Sequence, residues 1–106
     1  MTSVPSSESD RPIDTELRSL VAEYLPRLRT LGADLLAALE TPADSEACAR
    51  ATKLSHRIHG TAGSYGFTAI AEAAGAIEDA LLAADGAALA GAAAAFRTAL
   101  RDLKVS

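Results

Sequence analysis

Tryptophan is absent from this 106-residue chain, there is one cysteine, and Tyr and Phe supply two residues each. With aromatic and β-branched side chains this scarce, the usual material of strands is missing, and helices packed at close range are favoured. A lone thiol, Cys48, excludes an internal disulfide and a paired-thiol zinc or redox centre, and reads as a small buried residue. Basic residues are outnumbered, ten Lys and Arg against fourteen Asp and Glu for a net charge of -4, and they form no stripe. A nucleic-acid groove or an anionic membrane is therefore a poor match, and a protein partner is the better one. Long apolar runs are missing too. The start, MTSVPSSESDRP, is too polar for a secretory signal, and the most apolar stretch, Ala87 to Phe96, contains Gly91 and falls well short of the ~20 residues that cross a bilayer. A soluble, cytoplasmic protein is the expectation.

What is present is alanine, about a quarter of all positions, with leucine as the main larger apolar residue. The length suits one domain with a single core and leaves no room for a nucleotide-binding lobe. From Asp14, a plausible N-cap, Leu17, Leu20, Val21, Tyr24, Leu28, Leu31, Leu35 and Leu39 recur at helical steps. Pro26 inside this run predicts a kink, or a break into a short and a long helix near Tyr24. Thr41-Pro42-Ala43-Asp44 reads as the next helix start, with Thr41 capping, and that helix should run to about Ser64 with Ala47, Ala51, Leu54, Ile58, Ala62 and Tyr65 inward. Further helices are predicted over Thr68 to Ala84 and Ala87 to Leu103, joined by an Asp85-Gly86 turn. The fold class is all-α, an antiparallel four-helix bundle over residues 13–106, behind a disordered tail over residues 1–12.

On a helical wheel of about 100° per residue, Leu54 and Ile58 lie roughly 160° from His56, so His56 faces water. Within about 60° of it fall Ala49, Thr52, Lys53, His59, Gly60 and Gly63, all small, polar or basic. Two glycines inside a helix each cost about 0.8 to 1 kcal/mol relative to alanine, so helix stability does not ask for Gly60 and Gly63. Access does: a bare backbone one turn beyond His56 lets a large partner bring a phosphoryl group to the ring. Lys53 and His59, one turn to either side, could meet the phosphate oxygens.

The stretch Ser55-His56-Arg57-Ile58-His59-Gly60-Thr61-Ala62-Gly63-Ser64-Tyr65-Gly66-Phe67 resembles the active-site segment of histidine-containing phosphotransfer (Hpt) domains. The shared pattern is a histidine, an aliphatic residue two later, a glycine four later and another ten later, here His56, Ile58, Gly60 and Gly66. His59 departs from it, standing where the family usually has a lysine that contacts the phosphoryl group. An unperturbed imidazole titrates near pH ~6.5, so it is a weaker clamp than an amine, which Lys53 or Arg57 would have to supplement. In a hairpin turning near Gly66, the residue level with His56 on the next helix falls around positions 76 to 78, and Glu78 is the candidate. The resemblance implies that Glu78 orients the imidazole, accepting from Nδ1–H and leaving Nε2 as nucleophile; a solvated helix residue is the other reading.

The resemblance implies a phosphocarrier in a two-component phosphorelay, taking a phosphoryl group on His56 between receiver-domain aspartates. No phosphate-binding loop, nucleotide site or acidic magnesium cluster is evident in the sequence, so autonomous kinase activity is not expected. Response-regulator receiver domains and a hybrid histidine kinase would be the partners, the receiver supplying the magnesium ion, and the chain would hold no cofactor and act as a monomer. A chain that begins at Met1 and ends soon after its last helix predicts a stand-alone carrier rather than part of a chemotaxis-type kinase. Two other classes compete: a helical adaptor that has lost phosphorylation, and a bundle binding a transition metal through His56 and His59, for which two ligands make an incomplete site.

Overall fold

Two aspartates set the starts of the second and fourth helices. The computed structural model describes residues 3–41 and 43–103, with side chains from residue 16 onward, and contains α1 (Ser3–Ala38), α2 (Ser45–Ser64), α3 (Thr68–Ala83) and α4 (Gly86–Arg101). Asp44 is the N-cap of α2, its carboxylate accepting from the Glu46 N–H at 2.9 Å. Thr41, expected to cap, lies in the preceding turn, where its carbonyl accepts from the Asp44 N–H; Pro42 lies outside the described residues. A carboxylate at the N-cap satisfies an orphan N–H and complements the helix dipole, which a threonine hydroxyl cannot match. Asp85 does the same for α4, accepting from the Ala88 N–H at 3.1 Å. The reversal expected at Asp85-Gly86 is instead made by Ala84, which takes the left-handed conformation (φ 54°) at the end of α3, and Gly86 opens α4.

No strand occurs among the described residues, and three short links return each helix alongside its predecessor. The core is built from Leu28 and Leu35 of α1, Ala51, Ile58 and Ala62 of α2, Ala74 and Ile77 of α3 and Phe96 of α4, all fully buried. Ser55 is buried with them, a position the apolar pattern misses; its hydroxyl donates to the Thr52 carbonyl one turn back, so nothing is left unpaired. Where α1 passes α4, a Cβ on Gly32 would come within 2.8 Å of the Leu100 side chain, so this glycine permits the close approach. Cys48, expected to be buried, is only half-buried.

The first helix corrects three expectations. It begins at Ser3 rather than at Asp14 and takes in residues 3–12, where a tail was expected; extending an existing helix costs far less than nucleating one. It continues through Pro26 as one helix, with no separate short helix before it. Pro26 removes the hydrogen bond to the Ala22 carbonyl, but both residues are exposed, so water can serve that carbonyl while buried Tyr24, Leu25 and Leu28 hold the helix to the bundle. Leu17 and Leu20, assigned to the inner face by their spacing, are 54% and 50% exposed. Thirty-six residues make a helix of about 54 Å, whereas the sixteen to twenty of the others give roughly 24 to 30 Å, so the start of α1 outruns its partners.

Candidate phosphoryl-transfer site

The face of α2 opposite Ile58 bears His56, whose side chain is 75% exposed. The carboxylate of Glu78, on α3 and only 19% exposed, accepts from His56 Nδ1–H at 2.9 Å. A carboxylate has no proton to give in its ionised form, so the bond places the hydrogen on Nδ1 and leaves the Nε2 lone pair toward solvent. Glu78 reaches this place because α3 runs back along α2 from a turn at Gly66, whose φ of +87° only glycine adopts without strain. The turn is closed by the Phe67 N–H donating to the Ala62 carbonyl at 2.9 Å.

His59 lies one turn along the same face, and its Nδ1–H donates to the backbone carbonyl of Ala71 on α3 at 2.8 Å. Both imidazoles therefore lean on α3, through a side chain in one case and through main chain in the other. Lys53 is exposed and makes no ion pair among the described residues; Arg57, turned toward α1, shares a shallow groove with Arg27 and Thr30. Gly60 opens onto free space, since an added Cβ would meet nothing within 4 Å. Gly63 instead looks at α3, where a Cβ would make an ordinary 3.7 Å contact with Ala71. Both glycines are exposed; Gly60 is the more open of the two, and Gly63 lies at the edge of the contact with α3.

Behind the site, Tyr24 of α1 stacks on Tyr65 with ring centroids 4.2 Å apart, and its hydroxyl bonds to the Thr61 hydroxyl at 2.6 Å. Neither this brace nor the part of Gly75, whose Cα faces the His59 ring, was drawn from the sequence. Two aromatics 41 positions apart have no local signal, and a helical glycine shows its reason only when the neighbouring helix is in place. A broad groove lies elsewhere, between Leu17 and Val21 of α1, the α2–α3 turn and the end of α4, and includes none of His56, His59 or Glu78. Among the described residues no three His, Cys, Asp or Glu are grouped to hold a metal ion, and no helix is long and apolar enough to cross a membrane.

No curated protein and no solved structure matches the chain. A family model described as the Hpt domain matches residues 19–105, which takes in His56, His59, Glu78 and all four helices except the start of α1. Spanning most of the sequence and the whole imidazole-bearing face, that match shows that the chain belongs to the Hpt domain family.

Proposed function

We propose that His56 is the phosphoryl-accepting residue of this Hpt protein and passes the group between aspartates of receiver domains. Membership of the family implies a phosphotransfer role in two-component phosphorelays, with receiver domains as the interacting class. The observation that carries the assignment to His56 is the bond from Nδ1–H to Glu78, which leaves an unpartnered, exposed Nε2.

The chemistry balances without moving a proton. The Nε2 lone pair attacks the phosphorus of an aspartyl phosphate, the P–O bond to aspartate breaks, and the aspartate leaves as its carboxylate. The ring then bears both the Nδ1 proton and the phosphoryl group, so it is cationic, and Glu78 faces that new charge at hydrogen-bond distance. Return of the group to a second receiver reverses these steps. The receiver contributes the acyl phosphate and its metal ion, and this chain contributes an aimed nucleophile and the open ground beside Gly60.

The test is phosphotransfer from a panel of phosphorylated receiver domains, followed by an acid-lability assay of the product. Acid-labile label on the unmutated chain, absent from His56→Ala, is the expected result. Acid-stable label on Ser or Thr contradicts the assignment, and receiver binding without any transfer by the unmutated chain makes it a helical adaptor.

A further inference from the structure

His59 stands where the resemblance leads one to expect lysine, and its hydrogen bond decides what it can do there. The Ala71 carbonyl oxygen can only accept, so the hydrogen must sit on His59 Nδ1. A neutral imidazole has one N–H, and here it is already used. Nε2 is then a lone pair, which a phosphate oxygen repels; a second proton turns the same atom into a charged donor. A lysine in this place would donate at any neutral pH, whereas a tautomer held by α3 makes donation depend on protonation.

Gly75 is what lets the ring lie this way. A Cβ built at position 75 would fall 2.8 Å from His59 Nδ1, 3.0 Å from Cε1 and 3.4 Å from Cγ. Any side chain at 75 would push the imidazole off the Ala71 carbonyl, because the ring is the movable party and two helix backbones are not. Ala71 and Gly75 are one turn apart on α3, and the Gly75 N–H lies in the helical ladder that the same Ala71 carbonyl serves. The glycine inside α3 thus answers the histidine inside α2.

We infer that Ala71 and Gly75 hold His59 in the single tautomer that can support a phosphoryl group on His56 only after His59 gains a second proton, with Gly75 as the positioning residue. This rests on His56 being the phosphoryl acceptor. Residues i and i+3 on a helix have Cβ atoms about 5 to 6 Å apart, which puts Nε2 of one ring within reach of a group on the other. The ionisable groups on the elements packed here are Lys53, His56 and Arg57 on α2, Glu78 on α3 bonded to His56, exposed Glu72 and Asp79 on α3, and Arg27 of α1 in a groove with Arg57. Both signs are present, so the arriving phosphoryl group is the largest local change in charge. Linkage makes the effect reciprocal: protonation of His59 favours phospho-His56, and phosphorylation favours the proton.

The full chain tests this in two arms. Long-range 1H–15N correlation of the imidazole rings should show His59 as the Nδ1–H tautomer in the neutral state, and Gly75→Ala should lose that pattern while helicity by circular dichroism is retained. Phospho-His56 lifetimes are then compared between about pH 5.5 and 8, always as ratios to His59→Ala, which cancels the intrinsic acid lability of phosphohistidine. The unmutated ratio should rise about fivefold toward acid, the ratio for His59→Lys should stay flat, and Gly75→Ala should lose the rise. An Nε2–H tautomer in the unmutated chain, a flat unmutated ratio, or a Gly75→Ala variant that keeps the rise would each overturn the inference. Absence of any label on His56 would remove the phosphotransfer reading and this one with it; correct tautomers with normal labelling but no pH-dependent ratio would remove this one alone.

Discussion

At one level of the α2–α3 contact His56 meets the Glu78 carboxylate; one turn along, His59 meets the Ala71 carbonyl. The two rings use the same nitrogen, yet their partners differ in charge and in freedom. Glu78 is a charged side chain that can follow the imidazole as it moves and would face the cation formed in the proposed transfer. A main-chain carbonyl inside a helix is neutral and immobile, so it sets the ring's tautomer and does nothing further. In the proposed transfer the same scaffold would yield a nucleophile at one position and a conditional donor at the other.

The sharpest way to break this comparison is His56→Ala, which should abolish transfer from phosphorylated receivers with the helical circular dichroism unchanged. Transfer that persisted would remove the assignment to His56. On the opposite side of α2, fully buried Ile58 has no part in the site, and Ile58→Ala should cost about 2 to 4 kcal/mol in denaturant unfolding. Transfer per folded molecule should be unaltered in that variant; a matching loss would show that the core and the imidazole face are not separable. Glu78→Ala should lower the transfer rate about tenfold by freeing the His56 tautomer, and Glu78→Gln, whose amide oxygen still accepts, should recover part of it. Equal rates for all three proteins would reduce Glu78 to a surface acid. The smallest effect belongs to Gly60→Ala: with nothing within 4 Å of the new Cβ, unfolding measurements should show a gain of about 0.5 to 1 kcal/mol, while receiver-dependent transfer slows. A gain in stability with unchanged transfer would mean that the clearing beside His56 has no role in docking.

Much of this was legible in the chain itself where a helical period had both faces occupied. Ile58 inward and His56 outward follow from 3.6 residues per turn, and Gly66 marks the turn because few other residues tolerate its backbone. Leu17 and Leu20 share that apolar spacing and are exposed, since periodicity tells which face is apolar and not whether a neighbouring helix extends far enough to cover it. Pro26 misled in the other direction. Its local cost is real, but the bonds lost there face water, and burial of Tyr24 and Leu28 decides the backbone path.

By itself the sequence determined an all-α chain with an exposed histidine on the second long helix and a motif that marks the family, because these depend on spacing along one strand of backbone. Only the tertiary structure decided which atoms of α3 each imidazole meets. Ala71 takes part through its carbonyl and Gly75 through the side chain it lacks, and neither contribution has a side-chain signature to be read. A backbone acceptor and an empty Cβ position acquire meaning only when another helix is laid against them.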